Sequence, residues 1–178
     1  MKKLITALLV LSFVIALGAC GSKNDATTSP PPDATKFPEE DQAARTYSNA
    51  DFGFTFTAPT DWEKNDVEGA IFAVVNSATG SNLNVIIGES GGLSEKEYAA
   101  ELKSQLKNSG LDYKFGAETT AKLGSSSFTK ITSTVSFSGY NMYQFIYICI
   151  KGDTSCVITA TAMLDSTSSS EFEAMFTK

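Results

Sequence analysis

The fold is decided by residues 52–62, FGFTFTAPTDW, in which three phenylalanines alternate with small or polar residues. Because successive side chains of a β-strand point to opposite faces, Phe52, Phe54 and Phe56 would share one face and turn it toward a core. Pro59 ends such a strand, and Trp62 follows three residues later, where we expect it to cover the edge of that core. The stretch therefore predicts that the folded domain opens with a half-buried strand.

Further runs of apolar or alternating residues predict more strands on both sides of one helix. Two runs precede the helix and four follow it, at residues 70–76, 83–88, 112–122, 127–137, 142–150 and 155–163. The helix begins at a capping box in which Ser94 is followed three residues later by Glu97, and Gly110 ends it at the C′ position. A second, short helix starts near Ser168 and is expected to bury Phe172, Met175 and Phe176.

The connections late in the chain are short, which predicts an antiparallel sheet. Residues 138–141 (SGYN) and 151–154 (KGDT) have the composition of turns and join neighbouring strands as hairpins. Between them, residues 142–150 are apolar at every position but Gln144, so this strand needs cover on both faces. The sequence therefore predicts an α+β domain with a mainly antiparallel sheet flanked by helices.

The opening stretch also resembles a known family. Gly53 between two Phe residues, with Pro59 and Trp62, is similar to the YGFSF…P…W opening of PsbP-like domains, and residues 171–176 (EFEAMF) are similar to the C-terminal helix of that family. The resemblance covers about residues 51–178 and implies a PsbP-like sandwich. It also implies that the chain is a bacterial lipoprotein and that its domain is a binding or adaptor module. We carry over no site residue, because the photosynthetic members use His and basic residues, and this acidic chain has no His.

Residues 1–19 are predicted to be an export signal. Lys2 and Lys3 precede an apolar stretch at 4–16, which is shorter than the roughly 20 residues that a membrane span needs. The end of the segment, LGAC, resembles a bacterial lipobox, which implies that Cys20 receives a diacylglycerol lipid with palmitate-type chains. We expect the mature protein on the extracytoplasmic side of the cell membrane, or on the outer membrane of a cell that has one. The alternative is an ordinary signal peptide followed by a chance Cys.

Residues 20–46 have the composition of an extended tether. The proline run at 30–32 favours polyproline II backbone, and few large apolar residues are present to offset the entropy of the chain. The acidic stretch at 38–41 (PEED) lacks the spaced Asp/Asn and Gly pattern of a calcium loop, so we interpret it as a solvated spacer. A single globular domain is then expected at 47–178.

Composition excludes several classes of activity. The chain of 178 residues contains no His, which removes His-based triads, His proton shuttles and His-ligated zinc. Its net charge is −6, and the loss of Lys2 and Lys3 with the signal makes the mature chain more acidic, so nucleic acid is not an expected partner. We expect no metal and no cofactor.

Literal matches to two catalytic motifs are interpreted as structural. Residues 88–92, GESGG, match the G-x-S-x-G pattern around a nucleophilic serine, but the chain has no His to take the proton of Ser90. Residues 104–107 and 127–130 match S-x-x-K, but no K-T-G-like strand accompanies them. We therefore expect no catalytic residue. Ser90 would lie in a glycine-rich loop, and residues 104–107 would lie on the polar side of the helix.

Aromatic residues cluster near one hairpin. Tyr143, Phe145 and Tyr147 would share one face of a strand, which is the pattern of a core. Tyr140 falls in the predicted turn and is expected to be the most exposed member. The functional alternative is a stacking platform for a glycan or an apolar anchor for a protein partner.

Cys149 and Cys156 are predicted to form a disulfide. The export compartment permits the bond, and these are the thiols left once Cys20 carries lipid. A hairpin centred on Gly152 and Asp153 places the two cysteines directly opposite each other, where a bond is comfortable only at a non-hydrogen-bonded pair. The alternative is a pair of buried free thiols.

These expectations together favour a lipid-anchored, non-catalytic binding or adaptor domain at the cell envelope. The membrane is one partner, through Cys20, and an envelope protein or a glycan is the other; no sequence pattern marks the residues that bind it. The alternative is an envelope hydrolase that works with carboxylates or Lys instead of His. A deep pocket with two acids of shifted pKa would favour the enzyme, and a shallow face with an apolar patch would favour the binder.

Overall fold

The computed structural model describes residues 45–137, 139–163 and 169–177. The predicted signal segment, Cys20 and the tether up to residue 44 lie outside these residues. Within them the chain forms β1 (Thr46–Asn49), β2 (Phe54–Thr57), β3 (Glu63–Lys64), β4 (Phe72–Val75), β5 (Asn82–Glu89), α1 (Glu95–Lys107), β6 (Asp112–Leu123), β7 (Ser126–Phe137), β8 (Tyr140–Lys151), β9 (Thr154–Met163), α2 (Ser169–Ala174) and β10 (Phe176–Thr177). Each predicted strand and both predicted helices are present, with β1, β3 and β10 in addition. The second helix ends at Ala174, so Phe176, which was predicted on that helix, is buried from β10 instead.

Strands β3 to β9 form one large sheet in the order β3-β4-β5-β9-β8-β7-β6, and every neighbouring pair is antiparallel. The hairpin predicted at 151–154 is present, because Lys151 pairs with Thr154 across a two-residue turn. At the preceding hairpin Phe137 pairs with Tyr140. Tyr140 is therefore the first residue of β8, whereas the sequence predicted it in the turn. The predicted antiparallel α+β architecture is confirmed.

Helix α1 covers one face of the large sheet. Its capping box forms as predicted, because the Ser94 hydroxyl accepts from the backbone N–H of Glu97 and the Glu97 carboxylate accepts from the backbone N–H of Ser94. Asn108 is the C-cap, so Gly110, at φ 85°, lies one position beyond the C′ place predicted for it. The helix packs on the sheet through its buried side chains, which are Tyr98, Ala99, Leu102 and Leu106.

A second, three-stranded sheet in the order β1-β2-β10 covers the opposite face together with α2. Phe54 and Phe56 of β2 are buried, and Phe52, in the turn before that strand, is buried with them. The ring of Trp62 meets the ring of Phe172 on α2, with 6.0 Å between their centroids. One face is thus closed by a helix and the other mainly by strands, so the predicted sandwich between helices is confirmed only in part.

Strand β8 is buried on both faces, as its nearly continuous apolar run predicts. Phe145 and Tyr147 belong to the core under the small sheet, whereas Ile146 and Ile148 belong to the core under α1. This strand therefore separates the two hydrophobic cores of the domain.

The glycine of the opening motif has a steric role. Gly53 has φ 67°, and its carbonyl oxygen accepts hydrogen bonds from both the N–H and the hydroxyl of Ser125, each at 2.9 Å. Ser125 lies in the β6–β7 turn beside Gly124, where an added Cβ would lie 2.4 Å from that same oxygen. The absence of side chains at Gly53 and Gly124 therefore lets this turn lie against the start of β2.

Candidate functional site

The serine of the G-x-S-x-G match belongs to a structural loop. Ser90 is 0 % exposed, and its Oγ accepts a hydrogen bond from the backbone N–H of Gly92 at 3.3 Å. The N–H of Ser90 donates to the carbonyl of Asp153 at 2.7 Å, which ties the loop to the β8–β9 turn. Gly91 and Gly92 have φ of 65° and 76°, a backbone region that favours glycine. The match therefore describes a tight connection from β5 into α1.

The S-x-x-K matches do not form a serine–lysine site. Ser104 and Lys107 are exposed on α1, as predicted. Lys130 on β7 instead donates to Oε1 of Glu173 at 2.7 Å, and the hydroxyl of Tyr147 donates to the same oxygen at 3.3 Å. Burial, and then the Glu173 carboxylate, raise the pKa of Tyr147, so this hydroxyl keeps its proton. These contacts hold α2 on the large sheet.

The aromatic cluster divides between core and surface. Phe145 and Tyr147 are buried, and Tyr143 stacks on Phe145 with 6.1 Å between ring centroids. Tyr140 is 51 % exposed, as predicted, although it lies in a strand. The core interpretation of the cluster is therefore correct for its inner members, and a single exposed ring does not form a stacking platform.

Cys149 and Cys156 lie directly opposite each other on β8 and β9, as predicted, and both are buried free thiols. The backbone N–H of Ile150 donates to the side chain of Glu95 and so points away from β9. Because N–H directions alternate along a strand, the N–H of Cys149 points toward β9, and the cysteines form a hydrogen-bonded pair. Such pairs are the wider kind, in which a disulfide is less comfortable. The register is confirmed, and the disulfide stays a prediction.

The carboxylate of Glu95 fills a gap between β7 and β8. These strands stop pairing at Thr129 and Ile148, and there Oε1 accepts from the N–H of Ile150 while Oε2 accepts from the Thr129 hydroxyl at 2.8 Å. Burial, and then the Glu95 carboxylate, raise the pKa of Cys149. Because the thiolate is the nucleophilic form of cysteine, this environment is the opposite of an activated cysteine site.

A shallow cavity with about 10 Å³ of room, enough for about one water, lies open to solvent at β4 and β5, on the face that α1 covers elsewhere. Its polar lining consists of three carboxamides, those of Asn65, Asn82 and Asn84; we call it the asparagine cavity. Sequence reasoning missed this site. A signal was present in β5, because Asn82 and Asn84 alternate with the buried Leu83 and Val85 and must face away from the phenylalanine-rich core.

The described residues contain no group of three His, Cys, Asp or Glu side chains placed to hold a metal ion. Among residues 45–137, 139–163 and 169–177, no helix combines the length and the apolar character needed to span a membrane.

Solved structures of other proteins share this fold. Cyanobacterial PsbP (CyanoP) from Synechocystis matches with a TM-score of 0.55 and 14 % identity, over 74 % of this chain and 89 % of that one. LpqN, which is involved in cell envelope biogenesis of Mycobacterium tuberculosis, matches with a TM-score of 0.50 and 18 % identity, over 70 % of this chain and 82 % of that one. The sequence matches no protein-family profile and no curated protein. The fold is PsbP-like, as the opening motif implied.

Proposed function

We propose that the chain is a lipid-anchored extracytoplasmic protein whose PsbP-like domain binds a partner at the cell envelope and catalyses no reaction. Cys20 would carry the lipid, and the cell membrane, or an outer membrane, would be the location. Residues 20–44 would form the tether, which is two residues shorter than the sequence predicts because Arg45 is buried and Thr46 begins β1. The observation that carries the non-catalytic role is the state of Ser90. The serine in the nucleophile motif is fully buried, and its oxygen is bonded to the N–H of Gly92.

The two cysteines of the described residues are also held in unreactive states. Burial raises the pKa of Cys156 to about 12, and burial together with Glu95 raises the pKa of Cys149, so both thiols are protonated at neutral pH. Hydrogen bonds with Ser94 lower the pKa of Glu97, the direction opposite to that of a general acid. The two thiols and Glu97 therefore show neither an activated nucleophile nor a general acid, which supports the binding role.

The envelope location is supported by the predicted export signal and by one structural neighbour. LpqN shares the fold and is involved in cell envelope biogenesis in its own organism. A domain of this fold on a lipid tether would present its surface to envelope components at a distance from the bilayer.

The anchor is tested by replacing Cys20 with Ser. The Cys20→Ser chain should take up no fatty-acid label and should be unprocessed or released from the membrane, because the lipid needs the thiol. Cys156→Ser is the matched control and should be labelled like the parent chain. Acylation and normal processing of Cys20→Ser would remove the lipobox interpretation.

The binding role is tested in whole cells with the full chain. A photo-crosslinking group on the domain should give a covalent adduct with an envelope component, whereas an unrelated domain on the same tether should not. A fluorophosphonate probe, which labels active serine hydrolases, should leave Ser90 unmodified. Labelled Ser90 would support the hydrolase alternative, and the absence of an adduct above the control would contradict the binding role.

A further inference from the structure

We propose that the tip of the β7–β8 hairpin rests on the lipid bilayer that holds the anchor at Cys20. The inference rests on the lipid anchor proposed above and adds which end of the domain faces the membrane. The hairpin tip, as we call it, consists of Phe137, Gly139, Tyr140 and Asn141. It lies at the opposite end of the large sheet from the β6–β7 and β8–β9 turns, because β7 and β8 run from those turns to the tip.

The hairpin that carries the tip has no charged residue between Ile131 and Ile150, although 19 % of the whole chain is charged. Burial explains only part of this, because the exposed and half-buried positions of the hairpin are uncharged as well. These positions are Thr132, Thr134, Ser136, Phe137, Gly139, Tyr140, Asn141, Tyr143 and Ile150. The other end of the sheet exposes charged side chains, which are Glu89, Lys122, Lys151 and Asp153. The two ends of the domain therefore differ in the surface that they can contact.

The side chains of the tip suit the boundary between lipid headgroups and acyl chains. Tyr140 is 51 % exposed, and Phe137, which pairs with it across the hairpin, is half-buried. The next residues on the same face are Met142 and Met163, which pair with each other, and Met163 is half-buried. A tyrosine combines an apolar ring with a polar hydroxyl, and such rings are enriched at the headgroup level of membrane proteins. The exposed ring therefore has an apolar surround and no charge to desolvate.

The charged groups on either side of the tip do not provide a basic surface. On β6, Asp112 lies opposite Ser136 and its carboxylate is 3.8 Å from the ammonium of Lys114, so the two charges offset each other. The β4–β5 turn lies at the same end of the sheet, and there Asp61 accepts a hydrogen bond from Asn76. A carboxylate at this end is repelled by anionic headgroups. The contact therefore depends on the aromatic tip and requires no anionic lipid.

The small size of the tip favours a bilayer over a protein as its partner. A stable protein interface buries about 800 Å² on each partner, which a tip with one largely exposed ring does not supply to a second copy of the chain. A bilayer contact can be weak, because residues 20–44 span roughly 30 Å as a coil and hold the domain near the membrane at high effective concentration. Strands of twelve residues, about 40 Å long, then keep the charged end of the domain away from the bilayer and open to envelope partners.

The test uses the full lipidated chain in phosphatidylcholine vesicles, at so few chains per vesicle that two copies do not meet. In Tyr140→Trp the introduced ring should fluoresce at shorter wavelength and be quenched when the lipids are brominated near the headgroup. Thr154→Trp is the matched control, because Thr154 is an exposed, uncharged first residue of β9 at the other end of the sheet, and it should be neither shifted nor quenched. The parent chain gives the baseline, since its tryptophan, Trp62, is buried.

A photo-crosslinking residue gives a second measurement that does not depend on the tryptophan variants. With p-benzoylphenylalanine in place of Tyr140, the chain in whole cells should form an adduct with lipid, whereas the same residue in place of Thr154 should not. A protein adduct at position 140 would assign the tip to a protein partner and overturn the inference.

The vesicle results separate the tip from the anchor. Equal quenching of Tyr140→Trp and Thr154→Trp, in chains that carry lipid and float with the vesicles, would overturn the inference and leave the anchor in place. Quenching that appears only after phosphatidylglycerol is added would contradict a contact made by an uncharged tip. A parent chain that carries no lipid and stays off the vesicles would overturn both the anchor and the tip contact. Equal urea midpoints show that the variants are folded.

Discussion

The carboxylate of Glu95 accepts a hydrogen bond from the backbone N–H of Ile150, 3.1 Å away. It occupies a place where a neighbouring strand would otherwise supply a carbonyl, since β7 and β8 stop pairing at Thr129 and Ile148. The other carboxylate oxygen accepts from the Thr129 hydroxyl at 2.8 Å. The first residue of α1 is thereby fixed to the sheet through a contact that is separate from the capping box.

Replacing Glu95 with Ala should lower the free energy of unfolding by about 1–3 kcal/mol, because the N–H of Ile150 loses its partner. Glu95→Gln should cost less, since the amide oxygen can still accept from that N–H. Glu101→Ala, at an exposed position of the same helix, is the control. Urea denaturation at neutral pH gives the values, and equal losses for Glu95→Ala and Glu101→Ala would show that the contact contributes nothing.

Gly124→Ala should lower the melting temperature much further than Gly152→Ala. Both residues have positive φ, 60° and 59°, so a backbone cost of about 1–3 kcal/mol is common to them. At Gly124 the added Cβ would also lie 2.4 Å from the carbonyl oxygen of Gly53 and 2.7 Å from that of Thr177, whereas nothing lies within 4 Å at Gly152. These neighbours are backbone atoms, so rotation of a side chain does not relieve the clash, which adds about 1–3 kcal/mol.

Circular dichroism melting of the two variants beside the parent chain is sufficient for this comparison. Similar melting temperatures for Gly124→Ala and Gly152→Ala would mean that the β6–β7 turn does not lie against β2.

The opening motif shows which features a sequence pattern can predict. The period of two placed Phe54 and Phe56 in the core correctly, because the face of a strand depends on spacing alone. The role of Gly53 could not be predicted from the sequence, because it depends on a contact with Ser125, which is 72 residues further along the chain. The hydrogen-bond phase of the Cys149–Cys156 pair could have been predicted, because the two residues that flank a two-residue turn form a hydrogen-bonded pair and the two kinds of pair alternate from there.

Short elements and composite sites were missed for related reasons. Strands β3 and β10 have two residues each, which is too short for a period to be recognised, and β1 (TYSN) has one aromatic residue among polar ones. The strand form of all three depends on partners in the folded domain. The asparagine cavity combines β5 with the segment that carries Asn65, and pairing of β4 with both neighbouring strands brings these parts together. A sequence pattern shows which residues share one face of one strand. A site built from several segments can be recognised only when the order of the strands in the sheet is known.

The domain should lose stability above pH 10 in part through Tyr113. Burial raises the pKa of Tyr113 to about 12, although nearby Gln144 offsets part of the effect without forming a hydrogen bond of ordinary geometry. The unfolded chain therefore gives up this proton first, near pH 10, so the contribution of Tyr113 is fully present below pH 10 and is lost as pH rises toward 12. Tyr113→Phe should flatten the fall of the unfolding free energy between pH 10 and 12.

Tyr140→Phe removes the same hydroxyl from an exposed position and is the matched control. At neutral pH, Tyr113→Phe should be neutral or stabilising by up to about 1 kcal/mol, because the lost hydroxyl has no hydrogen-bond partner among the described residues. This account would be contradicted if Tyr113→Phe strongly destabilised the domain. It would also be contradicted if the unfolding free energy of the variant fell between pH 10 and 12 as steeply as that of the parent chain.

Cys149 and Cys156 should be joined in protein taken from the envelope, and the bond should form mainly while the chain folds. Oxidised glutathione can serve as the oxidant: it accepts two electrons from the two thiols and is released as two molecules of reduced glutathione, which carry away the two protons. The attacking group is a thiolate, and burial raises the pKa of Cys156 to about 12 and also raises that of Cys149. In the folded domain the thiolate is therefore scarce, and oxidation should be slow.

Thiol counting on denatured, unreduced protein tests both parts of this expectation. Envelope protein should show no reactive thiol, and reduced chain refolded with oxidised glutathione should lose its thiols much faster than reduced chain that is already folded. Two reactive thiols per envelope chain would contradict the bond, and equal rates would contradict the protection by burial. Loop-closure entropy alone predicts that the disulfide stabilises the domain by about 2.5 kcal/mol. We expect a smaller value, because the β8–β9 turn keeps the two cysteines close before the bond forms.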